Sequence, residues 1–429
     1  MAEAQPDLGY LTEMDRVGVL IAGSGAREKA IGWKLEQSER IGAVTIRPNG
    51  KDFIDFATDP ENGVDLVIVS TDDDLAAGLV DDLAARGIPA FGPNKQAARI
   101  ESSKPYAKHL MTENGVPTAN FQVFTDPTAA HEYVEANPGP RYGKAGGLAL
   151  GKGAMACPTP EETHRVIDEI MVKKVFKDAG NELVLEDLLE GDEISLHAIT
   201  DGETYLMFPS SQDHKKALEG DLGDNTGGMG TLSPVPWFDQ DQVNKAGLTV
   251  VKPVLDAMSR NGNAYKGLLY PGIMVDENGN PKVLEYNARF GDPEVQVYLR
   301  RMESDFLDLI TATVARRLGD FQLKWSDQVA VCLVAASGGY PGAYERDKRI
   351  TGIEEAEQIE GIKVFHAGVT EKDGQYFTSG GRVLGVSSMA DTLIGALSLA
   401  YVAMQRIQFE GKYVRPDIGH KSLLRAGLL

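Results

Sequence analysis

The chain has 429 residues, 42% of them hydrophobic, enough for two to four domains with cores of their own. Its formal charge is −20, from 43 Lys and Arg against 63 Asp and Glu, and a field of that sign argues against nucleic acid and anionic membrane surfaces as partners. It does not argue against nucleotides, because a local cluster of lysines, backbone N–H groups and a metal overrides the global sign.

Two cysteines, Cys157 and Cys332, stand far apart with no ligand pattern near them, so neither a disulfide framework nor a zinc site is expected. The first 13 residues, MAEAQPDLGYLTE, are acidic without an apolar run and read as a flexible extension, not a signal peptide. With no stretch of 18 apolar residues, the expectation is a cytoplasmic protein.

Residues 16–22 form a short apolar run of buried-strand type, ending in Gly23-Ser24-Gly25-Ala26-Arg27-Glu28 and passing into a helix over 30–40. Strands follow at 43–46, 64–69 and 89–91, with a helix at 75–86, which predicts a parallel α/β domain over 14–103. A helix over 103–114 ends at Val116-Pro117-Thr118-Ala119 and opens a smaller unit, 104–190, with a glycine-rich turn at 146–153, a helix at 159–173 and a strand at 182–186. A larger α+β unit, 191–326, closes with a strand at 281–287 and a helix at 294–316. The tail, 327–429, holds a strand at 329–336 and a helix at 389–405.

Four stretches carry chemistry. Gly146-Gly147-Leu148-Ala149-Leu150-Gly151-Lys152-Gly153, after Tyr142-Gly143-Lys144, suits a turn whose N–H groups and lysines cover phosphates. It is not a Walker A loop, since Gly follows Lys152; an ordinary hairpin is the plain alternative. In Val283-Leu284-Glu285-Tyr286-Asn287, residues two apart share a strand face, so Glu285 and Asn287 project together as hard oxygens suited to Mg2+. Arg289 joins that face if the strand continues. Gln212-Asp213-His214-Lys215 and Asn225-Thr226-Gly227-Gly228-Met229-Gly230 lie in a long polar stretch that reads as a functional loop or as plain surface. The Gly23–Glu28 turn lacks the third glycine and the ribose acid of a dinucleotide site, so it binds a phosphorylated substrate or is only tight packing.

In their order along the chain these motifs, with Phe91-Gly92-Pro93, Glu285-Tyr-Asn-Ala-Arg-Phe-Gly-Asp-Pro-Glu294, Ala336-Ser-Gly-Gly-Tyr-Pro-Gly342 and Gly380-Gly-Arg-Val-Leu384, resemble the phosphoribosylamine–glycine ligases from about Met14 to Leu424. The resemblance implies an α/β and α+β multidomain fold: an N-terminal parallel α/β domain, a two-lobed ATP-grasp core and a small C-terminal α/β domain. It implies ATP with Mg2+ or Mn2+ as cofactors, glycine and phosphoribosylamine as small-molecule substrates, and a monomer. By the same resemblance Lys104, Lys144, Gly151, Lys152, Gly153, Glu186 and Glu193 would hold ATP, and Glu285 and Asn287 the metal. Gly25, Arg27, Asp213, Asn225, Gly227, Gly228, Arg289 and Asp292 would line the glycine and acceptor region, with Arg289, Lys152 and Asp213 as catalytic residues.

The sequence departs from that family at Lys29, where His is usual, and at Gly146, where Asp is usual. It also departs at Ser70-Thr71-Asp72-Asp73-Asp74-Leu75, in place of Gly-Pro-Glu-x-Pro-Leu. Thr71 reads as a helix cap with three carboxylates favourably placed on the helix dipole. The same carboxylates would oppose a sugar phosphate, which leaves open a ligase for a different amine or amino acid. A catalytically silent nucleotide-binding protein is the other alternative.

Overall fold

The computed structural model describes residues 7–149 and 152–429. The fully buried strand Val17–Ala22 is central in a parallel sheet, between Ile41–Arg47 on one side and Leu66–Val69 on the other, with Ala90–Phe91 outermost. Burial on both faces is why Val17–Ala22 and Leu66–Val69 are continuously apolar rather than alternating, whereas Ile41–Arg47 at the edge is partly exposed. The helix expected over 75–86 is two, Asp72–Ala77 and Leu79–Ala84. Gly78 separates them at φ +100°, a left-handed stop that satisfies the last carbonyls of the first.

Lys95–Ser102 and Lys104–Glu113 follow as two helices, Ser103 capping the second. The small lobe is an antiparallel sheet in the order Phe121–Phe124, Leu183–Asp187, Arg141–Ala145, Ala154–Cys157. The glycine-rich turn therefore joins two paired strands, with Lys144 opposite Ala154. The helix Pro160–Ile167 starts at a capping box between Thr159 and Glu162, and a π-helical turn, Asp168–Val172, extends it.

The large lobe is built on Gly267–Val275, which pairs with Pro281–Asn287, Asp192–Ser195 and Ala198–Thr200. The polar stretch around 211–230 is structured: Gln212–Asp213 pairs with Gly230–Ser233, and Lys216–Leu218 with Leu222–Asn225. The helix expected over 294–316 breaks into Glu294–Arg301 and Phe306–Val314, since Met302 leaves the helix to bridge Trp325.

Gly230–Ser233 also pairs with Val329–Ser337, which pairs with Arg382–Ala390, so one sheet runs from the large lobe into the C-terminal part. The last long helix is Leu393–Arg406 rather than 389–405, because Met389 belongs to the preceding strand and Thr392 is the cap. One apolar cluster runs from Leu20 through Leu269 and Tyr286 to Leu333 and Val386, joining the N-terminal sheet, the large lobe and the C-terminal part, while the small lobe has its own cluster around Val166 and Leu183. Both cysteines are buried and free.

Candidate active site

Where the lobes meet lies a cavity of about 570 Å3, lined by the N-terminal sheet's loops, both lobes and the C-terminal part. Three groups of side chains divide it.

At one end Glu186, 3% exposed, accepts from the ammonium groups of both Lys108 and Lys144. Lys144 also donates to the Leu284 carbonyl (2.9 Å), and Lys108 to Thr118 Oγ1 (2.7 Å). Burial pushes the Lys108 ammonium down to about 8, with Lys144 pushing the same way and Glu186 resisting. Two cations on one buried carboxylate leave net positive charge at the apolar end of the cavity, where Ile100, Met111 and Leu284 line the wall.

In the middle, Glu285 and Asn287 project from the same face of Pro281–Asn287, as expected. Burial raises the Glu285 carboxyl, but Lys215, Lys104, Lys144 and Arg289 overcome that and draw it down to about 2, so it is ionised. Lys215 stands between Glu193 (2.6 Å) and Glu285 (3.8 Å). The strand ends at Asn287, yet Arg289 still turns into the cavity, paired with Glu101 (3.1 Å) and donating to Asn287 Oδ1 (3.3 Å). Glu101 in turn accepts from the Ala288 N–H (2.7 Å).

At the far end Asp213 presents a buried Oδ1 with no hydrogen-bond partner among the described residues. Burial and the nearby Glu294 hold its carboxyl well above the usual range against Lys215 and Arg382. Glu294 accepts from Tyr270 (2.6 Å) and Ser195 (3.0 Å). Gly228 has φ +109°, and a Cβ there would lie 2.6 Å from Asp213 Oδ1, so only glycine brings the backbone this close. Asn225 donates to Tyr142 Oη (2.9 Å) and to the Ala154 carbonyl (3.2 Å), tying the two lobes. Arg382 arrives from the C-terminal part, donating to the Gly227 carbonyl and to Asp292.

At the N-terminal edge, Arg27 lines the cavity and pairs with Glu28 (2.8 Å). The Gly25 N–H is already taken by Glu28 Oε2 (2.6 Å), whose other oxygen accepts from Ser70 (2.8 Å), so Glu28 sits where the turn would hold an anion. Thr71 caps its helix by position only; its hydroxyl goes to Asp74, which also accepts from Asn49 (2.7 Å). Asp72 lines the cavity, near enough to Arg289 to strengthen its charge.

The structure thus gathers Lys104, Lys144, Gly153, Glu186, Glu193, Arg27, Asp213, Asn225, Gly227, Glu285, Asn287, Arg289 and Asp292 round one cavity. Gly228 stands behind it against Asp213. Lys152 is apart from them, its ammonium donating to the Pro341 carbonyl (3.1 Å), and Gly151 lies outside the described residues. Reasoning from sequence missed roles for Lys108, Lys215, Glu294 and Arg382. Lys108 was findable, being four residues after Lys104 and so on the same helix face; Arg382 had no local signal.

Glu285 and Asn287 fit a hard divalent cation. Among the described residues no cluster of three or more His, Cys, Asp or Glu could hold a metal unaided. A cation here would complete its shell with phosphate and water oxygens, as Mg2+ does.

His214 anchors the C-terminal end of the chain behind this site. Its Nδ1–H donates to the Gly230 carbonyl (3.0 Å) and its Nε2 accepts from the Gly419 N–H (3.0 Å), so the ring is neutral. Burial, then Arg415, lowers its pKa to about 4. The folded value lies below the unfolded one of about 6.5, so this contribution is complete above about pH 6.5 and is lost as pH falls towards about 4. The loss should reach on the order of 3 kcal/mol. Urea unfolding followed across that window should show a flatter pH dependence in His214→Leu than in the wild type; equal slopes would refute the assignment.

Family models described as the phosphoribosylglycinamide synthetase N domain, ATP-grasp (A) domain and C domain match residues 17–101, 102–295 and 330–421. The phosphoribosylamine–glycine ligase of Rhodopirellula baltica is 42% identical over 435 residues, covering 96% of this chain and 99% of that protein. The crystal structure of phosphoribosylamine–glycine ligase from Thermotoga maritima superposes with a TM-score of 0.80 at 32% identity, over 94% of this chain and all (100%) of that one. A biotin carboxylase from Campylobacter jejuni shares the fold at 13% identity, with a TM-score of 0.72 over 94% of this chain and 96% of that one. Among the described residues no helix is long and apolar enough to cross a membrane.

Proposed function

Because the chain belongs to the phosphoribosylglycinamide synthetase family, we propose that it is an ADP-forming ligase joining glycine to 5-phosphoribosylamine, with N-(5-phosphoribosyl)glycinamide and phosphate as the other products. Carrying this reading is a single cavity lined at once by the Lys108–Glu186–Lys144 group, by Glu285 and Asn287, and by Asp213, whose Oδ1 has no hydrogen-bond partner among the described residues.

A carboxylate oxygen is a poor leaving group, so glycine must be activated before an amine can displace it. ATP lies with its base at the Lys144–Glu186 end and its phosphates towards Lys104, Glu285 and Asn287, with Glu193 on the ribose. One oxygen of the glycine carboxylate attacks the γ-phosphorus, and ADP leaves with the electrons of the broken P–O bond. Lys104 and Arg289 hold the transferring charge in place. Mg2+, when bound at Glu285 and Asn287, supplies further neutralisation of the phosphates. Lys152 would exchange the neutral Pro341 carbonyl for a charged phosphate oxygen, a stronger acceptor, beside Gly153.

The acceptor nitrogen then attacks the acyl carbon, phosphate departs with the C–O bond pair, and Asp213 takes the proton released from nitrogen. Asn225, Gly227, Gly228 and Asp292 form the wall on that side. The sugar phosphate pairs with Arg27, which lines the cavity, and not with the Gly25 N–H, which Glu28 occupies. Of the acidic turn, Asp74 is engaged by Thr71 and Asn49, whereas Asp72 lines the cavity. The reading also takes the enzyme as a cytoplasmic monomer. Enclosure of the acyl phosphate protects it from water.

A coupled ADP-release assay tests the reading. Release should require glycine and rise strongly when freshly made phosphoribosylamine is added. Release stimulated by some other amine, and indifferent to phosphoribosylamine, would replace the acceptor while keeping the activation chemistry.

A further inference from the structure

We propose that Arg382, on the C-terminal strand Arg382–Ala390, is a positioning residue for the second half-reaction: it sets the wall against which the amine meets the activated acyl group. This rests on the ligase reading above.

The guanidinium is spent on two points of that wall. Nη1 donates to the carbonyls of Gly227 and Asp292, and Nη2 donates to Asp292 Oδ2 (3.0 Å). Gly227 is held from its other side too, because its N–H donates to Tyr340 Oη (3.1 Å). Both backbone polar groups of one residue are thus bonded to side chains more than a hundred residues further along the chain. Contact is so close that a Cβ at Gly227 would lie 2.9 Å from Arg382 Cζ.

What Gly227 positions, held in this way, is the next residue. Gly228 lies against Asp213 and against Pro293, where a Cβ would stand 2.6 Å from each. Asp292, the other end of the fork, is fixed also by Gln296 (2.8 Å) and precedes the Pro293-Glu294 segment. Arg382 therefore ties together the two segments flanking Asp213. No hydrogen bond or ion pair joins it, among the described residues, to Lys108, Lys144, Glu186 or Glu285. The coupling is to one half of the cavity.

A planar fork reaching three acceptors is beyond a lysine, whose ammonium is a compact point charge. Arg382→Lys should therefore keep the charge and lose the geometry. A misplacement of about 1 Å costs about 100-fold in rate, and it should fall on one step only.

Two readouts separate the steps. Glycine-dependent positional isotope exchange in ATP labelled at the β,γ-bridge, with no amine present, reports activation alone; glycinamide ribonucleotide formation reports both steps. In Arg382→Lys, exchange should stay within about threefold of the wild type while product formation falls about 100-fold, with more ADP released than product made. Tyr340→Phe should move the same ratio in the same direction by less, which covers a poorly folding Arg382 variant. If exchange and product formation fall together in both variants, or neither changes, Arg382 is only a staple between domains. Absence of glycine-dependent exchange in the wild type would instead overturn the ligase reading, and this inference with it.

Discussion

Replacing Glu285 by glutamine should lower turnover by about 10² to 10³-fold while the fold persists. Glu285 is a partly exposed side chain on a well-paired strand, so little packing depends on its charge. Its carboxylate faces Lys215, Lys104, Lys144 and Arg289, all of which favour its ionised form. Glutamine removes one anionic oxygen from the proposed metal site and leaves those cations without their shared counter-charge. Both effects repel a divalent ion. Turnover measured across a Mg2+ series should show the loss together with a higher metal requirement, and near-UV circular dichroism should match the wild type. Near-normal turnover with unchanged Mg2+ dependence would refute the assignment.

The second large effect is expected at Asp213, where asparagine should cost about 10² to 10⁴-fold in product formation. Its Oδ1 is buried and unpartnered among the described residues, facing the cavity. Burial first, and Glu294 next, raise its pKa well above the ordinary carboxylate range. A base must be deprotonated to act, so the wild-type rate should fall as pH drops through that raised value, earlier than for an ordinary carboxylate. The asparagine variant should be slow at every pH and lack that acid limb. An unaltered limb in Asp213→Asn would assign the titration to another group, and unaltered rates would remove Asp213 from the chemistry.

How far the molecule was legible from its residues follows from the distance over which each signal acts. The strand Val17–Ala22 was readable as a continuous apolar run, and the shared face of Glu285 and Asn287 because a strand's period of two residues determines which side chains face together. Helix limits were less secure. Gly78 breaks one expected helix and Met302 another, since a local apolar pattern does not register a left-handed stop or a bridge to Trp325.

By itself the sequence determined the parallel N-terminal sheet, the glycine-rich stretch at 146–153, and the order of motifs that marks the family. Those features rest on local periodicity, on turn chemistry, or on residue identity at fixed spacing. Only the tertiary structure decided that Lys108 and Lys144 share Glu186, that Glu28 occupies the Gly25 turn, and that Asp74 is engaged by Thr71 and Asn49. It alone brought Arg382 to Gly227, 155 positions away, and to Asp292, 90 away. The reason is physical: a hydrogen bond depends on where two groups lie in space, and for residues so far apart that is set by the packing of a shared sheet and core.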